Sequence, residues 1–289
     1  LKRVSPSPDP LTVGEALREG ARQLVGLSQT PLLDAEILLR HVLEWSREQV
    51  YLRASLQLPA DAMERFQELL AQRARGRPIA YIVGHKEFYG LDLLVDERVL
   101  IPRPETEVLV ETAIRRLRPK CQHKACLAAD VGTGSGAIAL ALVANLPNLK
   151  VYATDISREA LEVARSNCQR LALCDMLVLL HGDLLDPVPE AVDAVLANLP
   201  YAVPGEVDPH VAAWEPAIAL YSPEAGLEHI RRLLEQIALK LNPDGFVALE
   251  IHPPRVTEVL ALASQHLPYA KHEIVRDLAG QERVVLLTL

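Results

Sequence analysis

Positive charge is in short supply. The chain has 30 Lys and Arg against 38 Asp and Glu, a formal net charge of −8 over 289 residues. A protein whose main work is a non-specific grip on phosphate backbones needs clustered Lys and Arg, so nucleic acid is not expected as the primary substrate. A long apolar run is missing as well. The longest uncharged stretch, 131–149, contains Gly132, Gly134, Gly136, Asn145 and Pro147 and makes a poor membrane span. The opening LKRVSPSPDP has basic residues but lacks the apolar segment of a secretory signal. A soluble, cytoplasmic protein without a membrane partner is expected. Cysteine is scarce: Cys121, Cys126, Cys168 and Cys174 never fall at the two-residue spacing of a zinc knuckle. Reduced, partly buried thiols are the expectation, and no metal site is assigned.

What is present is ample core material, 49% apolar residues with 24% charged. Residues 11–75 read as a small helical bundle. Thr12 with Glu15, and Ser46 with Gln49, form capping boxes. Val13, Ala16, Leu17, Ala21 and Leu24 repeat at helical spacing, and Pro31 suits a first turn. From 79 to 101 the pattern turns to β-branched and aromatic residues broken by Gly84 and Gly90, which predicts a linking β-hairpin. Pro104, Glu105 and Glu107 suit the start of a helix. From 126 onward strands and helices alternate. Strands are predicted at 126–131, 150–154, 176–181, 192–197 and 246–251, and helices at 135–145, 157–172, 223–241 and 254–266. Such alternation implies a mostly parallel sheet covered on both faces. The tail, 269–276 and 283–289, reads as an added hairpin. The division expected is 1–75 helical recognition domain, 76–103 hairpin linker, 104–289 α/β domain.

Asp130-Val-Gly-Thr-Gly-Ser-Gly-Ala137 follows a predicted strand and opens a helix. Glycines at 132, 134 and 136 let the backbone turn tightly and approach a ligand. Asp155 ends the next strand, where a carboxylate can accept from both hydroxyls of a ribose. The loop alone does not decide between cofactors, because Gly132, Gly134 and Ala137 also satisfy a dinucleotide fingerprint. The tips of the next two strands carry Asp183 and Asn198, and in an open parallel sheet the ligand lies beyond those ends. Asp183 is placed to accept from an adenine amino group; a helix N-cap is the alternative reading.

Asn198-Leu-Pro-Tyr201 is the most informative tetrapeptide. An amide or aromatic amino nitrogen is a poor nucleophile, because its lone pair is delocalised. Accepting hydrogen bonds from its two N–H groups orients it for in-line displacement. The Asn198 side-chain carbonyl and a following backbone carbonyl supply the acceptors, and Tyr201 can cover a planar target. A plain turn is the competing account of Asn and Pro here.

These motifs together resemble the HemK/PrmC family. The strongest parts are Arg75-Gly-Arg-Pro-Ile-Ala-Tyr-Ile-Val-Gly84, Glu87-Phe-Tyr-Gly90 and Val99-Leu-Ile-Pro-Arg-Pro-Glu-Thr-Glu107, followed by the glycine loop. Glu215-Pro216 and Asp277-Leu-Ala-Gly280 with Arg283 match later. The resemblance implies an α/β fold: a Rossmann-like class I methyltransferase sheet with a small N-terminal helical bundle and a linking hairpin. It implies S-adenosylmethionine as cofactor, held by Gly132, Thr133, Gly134, Ser135, Gly136 and Asp155, with Asp183 and Leu184 flanking the adenine. Asn198, Leu199, Pro200 and Tyr201 would hold the glutamine amide, with Asn198, Pro200 and Tyr201 acting in catalysis and Asn198 also touching the cofactor. Peptide chain release factors would be the partners. The family pattern is Asn-Pro-Pro-Tyr, and Leu199 departs from it. Asn-Leu-Pro-Tyr is similar to the motif of ribosomal RNA adenine dimethyltransferases, so an adenine amino group is the alternative target.

Overall fold

The computed structural model describes residues 11–289, so the basic opening segment lies outside the described residues. The chain divides into two compact units, one ending at Gly84 and one spanning His85–Leu289.

The first unit is helical: α1 (Val13–Gln23), α2 (Pro31–Leu43), α3 (Arg47–Leu52), α4 (Ala60–Ala74) and α5 (Ile79–Val83). Both capping boxes form, Thr12 with Glu15 and Ser46 with Gln49, and Pro31 occupies the first turn of α2. Leu17, Leu38, Leu39, Phe66 and Leu70 build its core. Asp34, buried at the start of α2, accepts from Ser28 Oγ (2.7 Å), Thr30 Oγ1 (3.0 Å) and Arg73 Nε of α4 (2.7 Å). A buried carboxylate is tolerated because its lone pairs are taken up.

The hairpin expected over 79–101 is smaller than its apolar pattern. Residues 79–83 are the helix α5, which packs on α2 and α4 and buries Tyr81. Its β-branched residues are overridden by Pro78 before the turn and by Gly84, left-handed at φ 77°, after it. The hairpin itself is β1 (His85–Phe88) and β2 (Leu91–Leu94).

The second unit continues with α6 (Thr106–Cys121), β3 (Cys126–Val131), α7 (Ala137–Asn145), β4 (Leu149–Asp155), α8 (Arg158–Arg170), β5 (Leu177–His181) and β6 (Val192–Ala197). Three short helices follow, α9 (Pro209–Trp214), α10 (Ala217–Leu220) and α11 (Pro223–Gly226). Then come α12 (Glu228–Lys240), β7 (Leu241–Glu250), α13 (Val256–His266), β8 (Lys271–Arg276) and β9 (Glu282–Thr288). Several predicted starts move: β7, expected from 246, begins at Leu241, and the helices expected from 135 and 254 begin at Ala137 and Val256. Pro104 and Glu105 form a turn before α6. The helix expected from 223 begins at Glu228, because Glu224 and Ala225 are left-handed.

Seven strands make one sheet in the order β5-β4-β3-β6-β7-β9-β8, parallel from β5 to β7, with β9 antiparallel to both its neighbours. Strand side chains alternate between two cores. Ala128, Ala194, Leu196, Ala248 and Leu286 face α6 and α7. Ala129, Val195, Ala197, Leu249 and Leu287 face α12 and α13. This alternation decides where the strand-tip residues point.

The four thiols are not all reduced. Cys168, in the last turn of α8, is joined to Cys174 as a disulfide, with their Cα atoms 5.0 Å apart. The left-handed Ala172 (φ 55°) folds the chain back between them. Cys121 and Cys126 are free and buried, and burial foremost, then a bond to Cys126, pushes the Cys121 thiol up to about 12. No helix among the described residues is long and apolar enough to cross a membrane.

Candidate active site

Strand order reverses between β3 and β6, which are neighbours although two strands and two helices separate them in sequence. The crevice beyond their carboxyl ends is where open α/β sheets hold ligands. A cavity lies there, lined by Gly132, Gly134, Asp155, Asp183, Leu184 and Asn198, and continued by Leu199 and Pro200. Six predicted positions from four strand tips therefore converge. Thr133, Ser135 and Gly136 do not line it. Thr133 and Ser135 are buried: the Thr133 hydroxyl donates to Asp130 (2.6 Å), and the Ser135 carbonyl accepts from Asn167 Nδ2 (2.9 Å).

The loop's own hydrogen bonds fix its shape. Gly132 and Thr133 N–H both donate to the Thr154 carbonyl (2.9 Å each), and Gly136 N–H to Thr133 O (2.8 Å). Gly134 N–H donates to Asp155 Oδ2 (2.9 Å), and Ala139 N–H to Asp130 Oδ2 (3.1 Å). These bonds hold the loop in shape beside Asp155, whose carboxylate lines the cavity and can accept from a ribose. Gly132 (φ 71°) is also approached closely: a Cβ there would stand 3.2 Å from Leu199 Cδ2. The glycine loop thus rests on the target motif.

Asp183 is ion-paired to Arg232 of α12, and both line the cavity. No helix follows it; Leu184 is left-handed (φ 47°), so the capping alternative drops.

A second cavity shares Asn198, Leu199 and Pro200 with the first and adds Tyr201, Glu250 and His252. Asn198 continues the alternation of Ala194 and Leu196 and so turns toward α6. Its Nδ2 donates to Oγ1 of Thr106, the first residue of that helix (3.1 Å). Glu250 has the same parity on β7, since Ala197 pairs with Leu249. The buried Thr106 hydroxyl is also the polar group that most favours its charged form. Glu250 is 4% exposed, and its Oε2 has no hydrogen-bond partner. Burial pushes it up to about 7, aided by Glu105 and opposed by Thr106, Arg283 and Arg103.

Tyr201 stacks on His252, with ring centroids 5.7 Å apart and planes 11° from parallel. Burial, then the charge of Glu250, pushes its hydroxyl up to about 12. The backbone behind it is pinned: Ala202 N–H donates to Leu220 O and Ser222 N–H to Ala202 O, 3.0 Å each. Gly226 is required there, because a Cβ would stand 2.0 Å from the Tyr201 carbonyl oxygen. The segment 101–107 is tied to the same region. Glu215, buried, accepts from Ile101 N–H (3.1 Å) and pairs with Arg103.

Sequence reasoning missed Asp130, Thr106, Glu250 and Glu215 as site residues. Asp130 is fully buried and raised to about 7, chiefly by desolvation, while Thr133 and Ala139 pull it down. Asp155, raised mainly by burial, still accepts from Gly134 and Ser157 N–H.

The chain matches the family model described as "PrmC N-terminal domain" over residues 15–84. It matches the one described as "Methyltransferase small domain" over 106–215. It is 41% identical over 282 residues to the release factor glutamine methyltransferase of Moorella thermoacetica, covering 96% of this chain and 98% of that one. With the enzyme of the same description from Rhodopirellula baltica it shares 38% over 264 residues, 89% of each chain. Among solved structures, a methyltransferase from Pyrococcus furiosus aligns with a TM-score of 0.50 at 23% identity, over 78% of this chain and 97% of that one. The hMettl16 catalytic domain bound to the MAT2A 3′UTR hairpin 6 aligns with a TM-score of 0.54 at 17% identity, over 76% and 81%. Those two likenesses show the fold alone, a class I methyltransferase sheet. The near full-length relatives show the rest: the chain belongs to the HemK/PrmC family of release factor glutamine methyltransferases.

Proposed function

We propose that the protein transfers a methyl group from S-adenosylmethionine to the side-chain amide nitrogen of the glutamine in the Gly-Gly-Gln motif of peptide chain release factors. The observation that carries this reading is the sharing of Asn198, Leu199 and Pro200 by two adjoining cavities. One cavity has the glycine loop and Asp155 for a ribose-bearing cofactor. The other has acceptors and an aromatic ring for a planar amide.

Bound S-adenosylmethionine supplies an electrophilic methyl group on a sulfonium. The chain's own residues do the rest. Asp155 accepts from the ribose hydroxyls, and the pair Asp183–Arg232, with Leu184, borders the adenine. Asn198 Oδ1 and the Leu199 carbonyl accept the two amide N–H groups and align the nitrogen. Tyr201 covers the amide. The helical N-terminal residues engage the release factor in the cytoplasm, while the α/β domain from 104 onward carries the chemistry. An adenine target is disfavoured by the relatives that this chain matches over nearly their whole length, which are release factor glutamine methyltransferases.

One assay tests this: labelled S-adenosylmethionine offered in parallel with release factor, RNA and DNA. Label on the glutamine of the factor supports the reading. Label on nucleic acid, with the factor untouched, overturns the substrate and leaves the methyl transfer standing.

A further inference from the structure

Asn198 can do its work only in one of two nearly isosteric orientations. With its oxygen toward the target it accepts N–H groups; turned over, it would present NH2 to NH2 and repel them. What selects the orientation lies behind it. Glu250, when ionised, has acceptors only, and the Thr106 hydroxyl, which favours that charged form, has its proton to offer on that side. The lone pairs left on Oγ1 then require a donor, and Asn198 Nδ2 is that donor at 3.1 Å. Its oxygen is thereby fixed on the side away from Thr106.

We propose that Thr106 and Glu250 are positioning residues of the methyl transfer, a relay that locks the Asn198 amide with Oδ1 toward the target nitrogen. The relay rests on the proposed function only in needing a target with N–H groups, which an adenine amino group also has. A proton on Glu250 undoes it: the carboxyl becomes a donor to Oγ1, the hydroxyl is released, and the reversed amide is allowed. The charged groups around Glu250 are Glu105 before α6, Arg103 from the preceding segment and Arg283 from β9. Tyr201 and its stacked His252 lie on the side of the target cavity. Burial raises Glu250 to about 7, within reach of ordinary assay conditions.

The test is made on the full chain. Thr106→Val keeps the shape and removes the hydroxyl. Its kcat with release factor should fall about 10–100-fold, on the scale of losing one oriented group in an active site. The KM for S-adenosylmethionine should stay within about twofold, and Thr106→Ser should restore most of kcat. Wild-type kcat should fall as the pH drops through about 7, and that limb should flatten in Thr106→Val. Unchanged kcat in the Val variant, or no recovery in the Ser variant, overturns the relay. A substrate-free readout separates it from the proposed function. The Asn198 side-chain NH2 signal, assigned by its loss in Asn198→Asp, should shift with the titration of Glu250 in wild type and not in Thr106→Val. An Asn198 signal indifferent to Glu250 overturns the relay whatever the substrate is. Absence of methyl transfer to release factor, with the coupled titration intact, overturns the proposed function alone.

Discussion

The carboxylate of Asp155 accepts the N–H of Gly134 at 2.9 Å, bridging the tips of β4 and β3. Its other oxygen accepts Ser157 N–H, also at 2.9 Å. The residue expected to meet a ribose is therefore also the clamp that shapes the glycine loop. Asp155→Ala should weaken S-adenosylmethionine binding by about 1–3 kcal/mol, the scale of charged hydrogen bonds. Asp155→Asn should weaken it too, because whichever way the amide turns, its NH2 meets one of two backbone donors. Calorimetry checks both; unchanged affinity in the Ala variant would remove Asp155 from the cofactor site.

Asp130 gives the fold a pH dependence of definite sign. Folded, it titrates near 7; its ordinary value is 3.8. Between those values the folded state holds more protons, so stability falls as pH rises from about 4 to about 7 and then levels. Glu250, raised from 4.5 to about 7, acts in the same direction. One Asp130 oxygen takes both hydrogen bonds and the other has none, so an amide can keep the pair. Asp130→Asn should lose less stability between pH 5 and pH 8 than wild type, as read by urea unfolding at each pH. An equal or larger loss in the variant would show that Asp130 is not the group responsible.

Much of this was legible before the structure. The sheet, its flanking helices and both capping boxes follow from apolar period and cap chemistry, which are local. The convergence of Asp155, Asp183 and Asn198 follows from the topology of parallel strands. Other features depended on non-local packing. Residues 79–83 carry strand-like residues, yet Pro78 and Gly84 and the buried Tyr81 make them a helix. Thr106 and Glu250 are far apart in sequence, and only the register Ala197 with Leu249 sets Glu250 beside Asn198. A signal was present: an acidic residue ending an apolar strand, with the same parity as the strand's α6-facing residues. The Cys168–Cys174 disulfide was hidden because spacing alone does not reveal the left-handed Ala172 that closes it.

The compact units place a cleaner cut than composition does. A break at residue 75 would detach α5 from α2 and α4, against which it packs, and expose Tyr81. A protein comprising 85–289 should bind S-adenosylmethionine with near wild-type affinity, since every residue of the cofactor cavity lies in it. Its methylation of intact release factor should drop at least tenfold, while a short Gly-Gly-Gln peptide should be affected less. Full activity on the intact factor would show that the helical unit is not a recognition element.

Leu199, the departure from the family's proline, sits where its two functions can be told apart. Its backbone carbonyl is present with either residue, so an acceptor for the second amide N–H is kept. Its side chain is 5% exposed, continues the parity of Val195 and Ala197, and supports Gly132 from below. Pro200 already holds residue 199 toward extended geometry, so a second proline adds stiffness rather than a new path. A proline ring cannot reach Gly132 as leucine does. Leu199→Pro should therefore leave turnover within about tenfold, or ~1.4 kcal/mol of barrier. The lost packing should appear instead as weaker cofactor binding and lower stability, by about 1 kcal/mol. Turnover on release factor and calorimetric affinity, measured together, separate the two effects. A loss of turnover beyond a hundredfold at unchanged cofactor affinity would mean that the leucine side chain itself reads the target. A wild type that methylates adenine while the Pro variant methylates glutamine would mean that it chooses between targets.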